Sequence, residues 1–350
     1  MHQRLRWKRP AGVARRQIVI VKGAVMMSQV LRQAAVAAIY IFAPLQLVRT
    51  VEYRYKIPGA TIIYAVVTSS FDATMVVFST DDRDSEDLSS GTPAILDVAK
   101  SKITRLPKLE VLSNDSSAVW RRDGRHVIFG AGDGLYELDT DHPKHPRMIL
   151  EGGTHGIALS GDESKLAYWR WGKSSLELYV LNIATSKILQ KWDLPYLYGS
   201  DAYGFEVAFL GEDTLYARTY DTVTGTPLKS FDISTGKMRI VQRDCGALVA
   251  SGTAIYFLGQ TASGRVLKKL TITGSEVIPS VTGYDSLRAA AGGRWIAFAG
   301  KGRSALFDTR SDQIFVKSTC EAMTALWDGT PLFISKTVLS SDPAICAASQ

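Results

Sequence analysis

The sequence predicts an all-β protein, a β-propeller of six or seven blades in which each blade is a four-stranded antiparallel sheet. Three observations lead to this prediction. Short apolar runs that contain an aromatic residue recur along the chain, turn-forming residues precede most of them, and no stretch after residue 50 keeps a helical period. Short strands that repeat about every 40 residues are typical of propeller blades, because one blade is too small to bury both of its faces.

The apolar runs predict the second strand of each blade. Six of the seven follow a turn signal rich in glycine and aspartate, which adopt the backbone angles that hairpins need. Seven runs indicate seven blades, and six remain possible if the weak terminal units share one. The runs are MVVF at 75–78, HVIF at 126–129, LAYW at 166–169, LYAR at 215–218, IYFL at 255–258, IAFA at 296–299 and LFIS at 332–335.

Each of the first six runs is followed by an alternating strand that ends at a polar residue. These polar residues lie 37 to 50 positions apart, and their side chains can hydrogen-bond the backbone two residues further on. We expect them to form the turn into the fourth strand of each blade. They are Asp97, Asp139, Asn182, Asp232, Thr271 and Asp308.

The last unit lacks a segment for its outermost strand. A strand from the N-terminal side of the repeats, either VEYRYK at 51–56 or TIIYAVV at 61–67, would complete this blade and close the ring.

The unit that starts at Trp120 carries a recognisable motif. Trp120-Arg-Arg-Asp-Gly, followed by HVIF and LYELD, resembles the W-x-x-D-G-x-x-I-x-F pattern of the WD40-like propeller repeats found in TolB and related bacterial exported proteins. GDESKLAYW with LYVLNIATSK is similar to a second copy. The resemblance covers residues 60–350 as a periodic pattern and implies the propeller fold over that range.

Residues 1–50 form a basic leader before the predicted single propeller domain, residues 51–350. The leader has nine basic residues and no acidic one, and its uncharged apolar segment at 33–48 suits a secretory signal or a membrane anchor. We therefore predict an extracytoplasmic protein, periplasmic or secreted, that segment 33–48 can tether to a membrane. The alternatives are a transit peptide, a buried N-terminal helix, and a start at Met26 or Met27 that makes residues 1–25 an upstream extension.

The positive charge of the chain belongs to this leader. The remaining 32 basic and 34 acidic residues give residues 51–350 a net charge of −2, so the sequence predicts no nucleic-acid partner. We expect a monomer.

The three cysteines, Cys245, Cys320 and Cys346, are widely spaced and form no CxxC pair. A disulfide between Cys320 and Cys346 fits an oxidising compartment. Three buried thiols are the alternative.

Three loops contain residue types that can bind ligands, and each also has a structural interpretation. The glycines of GAGDG at 130–134 precede a strand and not a helix, so they predict a hairpin turn rather than a phosphate site. His142 and His145 lie among aspartates and prolines and predict a solvated turn. The acidic loop at 81–87 lacks the glycine of an EF-hand. We predict no metal and no cofactor.

No G-x-S-x-G, HExxH or P-loop motif occurs. An active site assembled on the propeller axis from several blades would leave no such motif, so an enzyme remains the alternative. That alternative predicts charged side chains from several blades at one end of the central channel.

The best candidate for a binding surface is KWDLPYLYGSDAYG at 191–204. This connection between two blades is longer than its counterpart EGGTHG, and it should lie on the same rim as the turn RWGKSS at 170–175. Aromatic residues with an arginine form the usual energetic centre of a recognition surface, and packing between blades is the alternative role of these rings. The candidate residues are Trp192, Tyr196, Tyr198, Tyr203, Arg170 and Trp171.

The residues together predict a rigid, non-catalytic binding platform for a protein or small ligand on the propeller rim, exported or held at a membrane. A propeller enzyme with an axial site and a cytoplasmic scaffold are the alternatives, because the fold alone does not decide the function.

Overall fold

A computed structural model describes residues 53–347 except 59, 61, 69–73, 81–89, 107–110, 113–117, 132, 196–205, 220–224, 263, 291–292, 301, 321 and 336–337. Within the described residues the chain forms seven antiparallel sheets, here called blades 1 to 7. Six sheets have four strands, and one has a fifth short strand. The predicted all-β propeller with four-stranded antiparallel blades is confirmed.

Blades 1 to 3 are built from consecutive strands. Blade 1 contains β2 (Ile62–Thr68), β3 (Thr74–Thr80), β4 (Ser90–Asp97) and β5 (Lys102–Arg105), with β6 (Val111–Leu112) paired to β4. Blade 2 contains β7 (Ala118–Trp120), β8 (His126–Ala131), β9 (Gly134–Asp139) and β10 (Arg147–Glu151). Blade 3 contains β11 (His155–Leu159), β12 (Lys165–Trp171), β13 (Ser175–Asn182) and β14 (Lys187–Pro195).

Blades 4 to 6 follow the same order, and blade 7 combines both ends of the described chain. Blade 4 contains β15 (Val207–Phe209), β16 (Thr214–Arg218), β17 (Leu228–Asp232) and β18 (Met238–Gln242). Blade 5 contains β19 (Cys245–Ser251), β20 (Ala254–Thr261), β21 (Gly264–Thr271) and β22 (Gly274–Thr282). Blade 6 contains β23 (Ser286–Ala290), β24 (Trp295–Gly300), β25 (Arg303–Asp308) and β26 (Gln313–Ser318). Blade 7 contains β27 (Ala322–Ala325), β28 (Pro331–Ser335), β29 (Val338–Ser340) and β1 (Arg54–Lys56), and α1 (Ala344–Ala347) follows it.

The first strands contact one another between blades 2 and 3, 3 and 4, 4 and 5, 5 and 6, and 7 and 1, so they surround the central channel. Because strands alternate in direction, the turns from first to second and from third to fourth strand share one face with the start of β1. We call this the entry face. The turns from second to third strand and the connections between blades lie on the opposite face, here the crossover face.

The polar residues that end the third strands form the predicted turns. Each side-chain oxygen accepts a hydrogen bond from a backbone N–H two or three residues further on, at 2.8 to 3.3 Å. This geometry starts the fourth strand in six blades. The acceptors and donors are Asp97 and Lys100, Asp139 and Asp141, Asn182 and Thr185, Asp232 and Thr235, Thr271 and Thr273, and Asp308 and Arg310.

The N-terminal strand β1 closes the ring. It pairs with β29, with Arg54 opposite Ser340 and Tyr55 opposite Leu339. The Tyr55 hydroxyl donates a hydrogen bond to the Val98 carbonyl of blade 1 at 3.1 Å. Of the two predicted closing segments, 51–56 therefore supplies the closing strand through Arg54–Lys56, whereas residues 62–67 of the other segment belong to the innermost strand of blade 1.

The core lies between the blades rather than within them. Seven clusters of buried apolar side chains each join two neighbouring blades. Removal of this apolar surface from water stabilises the ring as a whole, because no blade can bury its faces alone.

A disulfide joins Cys320 and Cys346, whose Cα atoms are 5.4 Å apart. It connects the segment before β27 to α1. Cys245 is a free, buried thiol, and burial raises its pKa to about 12. Of the two alternatives that the sequence allowed, a disulfide or three buried thiols, the structure contains the disulfide.

No helix among the described residues has the length and apolar character needed to cross a membrane. The apolar segment at 33–48 lies outside these residues.

Candidate functional site

On the crossover face of blade 3, the turn at 170–175 lies beside the end of β14, where the connection at 191–204 begins. Ser175, at the start of β13, pairs with Pro195, the last residue of β14. The turn between β12 and β13 is closed by a hydrogen bond from Gly172 N–H to the Ser175 carbonyl at 2.8 Å. The connection that follows Pro195 is outside the described residues, so Tyr196, Tyr198 and Tyr203 remain predictions.

Trp171 is the exposed aromatic residue of this surface. It ends β12 and keeps 40% of its surface accessible. Its ring meets the ring of His155 edge to face, with centroids 5.5 Å apart. His155 is only 4% exposed and begins β11, the strand of blade 3 that faces the channel. Trp171 is therefore supported by a buried side chain near the channel mouth.

Arg170 anchors the connection between blades 2 and 3. Its guanidinium donates hydrogen bonds to the carbonyls of Glu151 and Gly152, and it lies 5.9 Å from the Tyr168 ring. Arg303 repeats this arrangement at the connection between blades 5 and 6, where it donates to the Gly283 carbonyl at 3.0 Å. Arg170 thus positions the base of the surface.

Trp192 lies in the core between blades 3 and 4. It is 8% exposed, its Nε1–H donates to the Gly236 carbonyl at 2.8 Å, and its ring packs edge to face on Phe231 at 5.2 Å. This is the packing role that the sequence left as the alternative to binding. Trp192 therefore does not contribute an exposed ring to the surface.

The strand beneath Trp171 is tightly packed. Tyr168 and Trp169 are fully buried on opposite sides of β12, toward blade 2 and blade 4 respectively. Burial raises the pKa of Tyr168 to about 12, so its hydroxyl stays neutral at physiological pH. A rigid base that presents an indole ring is suited to recognition.

The strands around the channel are poor in charge. The seven innermost strands, all within the described part of the chain, contain one arginine, Arg288, one histidine, His155, and no carboxylate. Glu206, which precedes the innermost strand β15, forms an ion pair with Arg218 of β16 at 3.0 Å. The charged cluster that an axial active site requires is not formed by these strands.

The loops with ligand-binding residue types have structural roles. The glycine-rich turn at 130–134 joins β8 and β9, with Ala131 paired to Gly134. A Cβ at Gly134 would collide with the Leu150 carbonyl of the next strand, so close packing explains this glycine. The predicted hairpin turn is confirmed.

In the loop that contains His142 and His145, the Asp139 carboxylate is bound by Arg125. Arg125 makes two hydrogen bonds to Asp139, at 2.7 and 2.5 Å, and lies 3.2 Å from Asp141. His142 Nδ1 contacts the same Asp139 carboxylate at 3.0 Å. Within the described ranges, no group of three metal-ligating side chains comes together, and loop 81–87 lies outside them.

A groove that was not predicted from the sequence lies between blades 4 and 5. It has a volume of about 540 Å³, and its lining includes Tyr216, Arg239, Ile240 and Ile272. Ile272, at the tip of a hairpin turn, is 85% exposed. The signal was available, because MRIVQ in an outermost strand and ITG in a turn both expose apolar residues.

Comparison with solved structures identifies the fold class. The C-terminal WD40 domain of Sif2 has a TM-score of 0.53 at 10% identity, and the alignment covers 83% of this chain and 98% of that one. Hydrazine synthase from Kuenenia stuttgartiensis has a TM-score of 0.53 at 12% identity, covering 81% and 96%. The Pan2 WD40 domain from Neurospora crassa has a TM-score of 0.51 at 9% identity, covering 82% and 92%.

The protein has a β-propeller fold like that of WD40 domains. No protein-family model matches the sequence, and no curated protein matches it. At these low identities the structural likeness extends to the fold alone.

Proposed function

We propose that this protein is an extracytoplasmic binding platform, held at a membrane by its leader, that binds a protein partner on the crossover face around Trp171. The observation that carries the proposal is the position of Trp171. Trp171, an indole that is 40% exposed, ends a strand in which Tyr168 and Trp169 are packed between blades. Rigid tryptophans at a rim are typical centres of protein recognition.

The disulfide supports a location outside the cytoplasm. Disulfides persist in oxidising compartments and are rare where cellular thiol systems keep cysteines reduced. The Cys320–Cys346 bond agrees with the basic leader and its apolar segment at 33–48. No small-x-small cleavage signal follows this segment, which favours an anchor over a cleaved signal.

The test compares two tryptophans that are matched in exposure and lie on opposite faces. Trp171 and Trp327 are both 40% exposed; Trp171 is on the crossover face and Trp327 on the entry face. The full chain, Trp171→Ala and Trp327→Ala are each expressed in cells of the source organism and purified with their bound proteins. We expect that a partner protein is purified with the full chain and with Trp327→Ala, but not with Trp171→Ala.

Two outcomes would count against this surface. If Trp171→Ala retains the same protein, the binding site lies on another surface. If Ile272→Asp loses that protein instead, the binding site is the groove between blades 4 and 5. Thermal unfolding of each variant separates lost binding from lost folding.

A small ligand is tested separately by a thermal-shift screen of metals, cofactors, sugars and peptides. A ligand at about 100 times its dissociation constant adds about 2.7 kcal/mol of stability. If a small molecule raises the unfolding temperature and Trp171→Ala abolishes this effect, the surface around Trp171 binds that class of small molecule and not a protein. An effect that Trp171→Ala leaves unchanged favours the alternative of a site on the propeller axis.

A further inference from the structure

The chain enters the propeller at the outer edge of blade 7, on the entry face. The Tyr53 N–H donates to Ser341 Oγ, and the Ser341 N–H donates to the Tyr53 carbonyl, both at 2.9 Å. Residues 49–52 are all that separates Tyr53 from the apolar segment at 33–48. Since an extended chain spans at most about 3.6 Å per residue, the segment must end within about 18 Å of Tyr53.

Two exposed aromatic side chains lie on this same face, where blades 6 and 7 meet. Trp327, in the turn after β27, is 40% exposed, and Phe315 of β26 is 58% exposed. Trp295 contacts both: its Nε1–H donates to the Trp327 backbone carbonyl at 3.3 Å, and its ring lies 5.2 Å from the Phe315 ring. The buried Trp295 thus links the turn of Trp327 to Phe315.

Phe315 is directed outward by a β-bulge. Val316 pairs with Leu306 and Ile314 with Phe307, which leaves Phe315 as the extra residue of β26. A bulge of this kind redirects a side chain away from the sheet.

Positive charge accompanies the aromatic rings. The Arg310 guanidinium lies 5.7 Å from the Trp327 ring, and Arg54 is exposed on β1. Burial and the charge of Asp328, the residue after Trp327, both raise the pKa of Tyr53. We define the entry patch as Tyr53, Arg54, Arg310, Phe315 and Trp327.

We propose that the entry patch rests on the surface of the lipid bilayer that holds the leader. The inference rests on the proposed membrane attachment. Tryptophan and phenylalanine place their rings at the headgroup level, and arginine beside them binds anionic lipid headgroups. With Trp327 and Phe315 in the interface, the entry face is turned toward the bilayer and the crossover face, with Trp171, is turned away from it.

The experiment uses the full chain in vesicles of phosphatidylcholine and phosphatidylglycerol, in which part of the phosphatidylcholine carries bromine near the headgroup end of its acyl chains. Bromine quenches the fluorescence of a tryptophan that contacts the lipid. The full chain carrying Trp7→Phe, which removes the tryptophan of the leader, is compared with the same chain carrying Trp327→Phe in addition. The matched variant on the opposite face carries Trp171→Phe in addition. Flotation of the vesicles first reports whether each protein is attached.

The proposal predicts that all three proteins float with the vesicles, that Trp327→Phe loses quenching, and that Trp171→Phe quenches as the full chain does. A protein that does not float overturns the proposed membrane attachment itself. A protein that floats but keeps its quenching in Trp327→Phe, or loses it in Trp171→Phe, overturns the entry patch while the attachment stands.

Replacement of Arg310 provides a second readout. Arg310→Gln should reduce the dependence of the quenching on the phosphatidylglycerol fraction, because the guanidinium no longer attracts anionic headgroups. An unchanged dependence contradicts the assigned role of Arg310.

Discussion

Two tryptophans of blade 3 have different roles, one in a candidate binding surface and one in the packing between blades. Trp171 lies on β12 and Trp192 on β14 of the same blade, yet Trp171 is exposed and Trp192 fills the gap to blade 4. The sequence could not distinguish them, because the partner of Trp192 is the Gly236 carbonyl, 44 residues away. Long-range contacts of this kind leave no local pattern.

Substitution of Trp192 should therefore destabilise the protein. Trp192→Ala removes a buried indole, which costs about 3–5 kcal/mol in the free energy of unfolding. Trp192→Phe keeps a ring in the gap and loses the hydrogen bond to Gly236, so its cost should be smaller. Trp171→Ala should stay within about 0.5 kcal/mol of the parent. Urea unfolding measures all three, and equal stability of Trp192→Ala and Trp171→Ala would refute the assignment.

At the scale of elements, the sequence predicted most of the architecture. The second strands of all seven blades, and the six turns that follow third strands, lie where the repeats indicate. These elements were predictable because hairpins depend on local turn chemistry. The choice of the closing strand was not predictable from local pattern, since β1 pairs with residues almost the whole chain away. The apolar residues of the groove between blades 4 and 5 are visible in the sequence, but their assembly into one groove depends on how the two blades pack.

The closing strand β1 should contribute strongly to the stability of the ring. Tyr55→Ala removes a buried side chain between blades 7 and 1, and we expect the free energy of unfolding to fall by about 3–5 kcal/mol. Tyr55→Phe, which lacks only the hydroxyl that binds the Val98 carbonyl, should lose about 1 kcal/mol. Hydrogen exchange should show faster exchange in β29 of Tyr55→Ala; unchanged protection there would mean that β1 does not hold the ring closed.

At the scale of the whole molecule, the turn aspartates predict loss of stability in acid. Hydrogen bonds from Arg125 lower the pKa of Asp139, and those from Ser234 and the backbone lower the pKa of Asp232. Carboxylates whose pKa is lower in the folded state stabilise it above the unfolded pKa of about 3.9 and lose that contribution as pH falls further.

Unfolding by urea should thus require less denaturant as pH falls below about 4. Asp232→Asn is the control, because Asn182 forms the same turn in blade 3 with an uncharged acceptor. This variant should fold and should depend less steeply on pH. A stability that does not change between neutral and acidic solution would contradict the assigned role of these carboxylates.

The cysteines make a prediction about the intact chain. Alkylation in denaturant without reductant should label Cys245 alone, and reduction should expose Cys320 and Cys346. The double variant Cys320→Ser and Cys346→Ser should lose about 3–4 kcal/mol of stability, since the bond closes a loop of 26 residues. Mass spectrometry of the labelled peptides checks the pairing, and label on all three cysteines before reduction would refute it.

The central claim is that the propeller presents its crossover face to a protein partner and turns its entry face toward lipid. The most direct test places a photoreactive benzophenone amino acid at position 171 or at position 327 of the full chain in cells of the source organism. After irradiation the account predicts a protein adduct at 171 and a lipid adduct at 327. A protein adduct at 327 with none at 171, or lipid at 171, would contradict it.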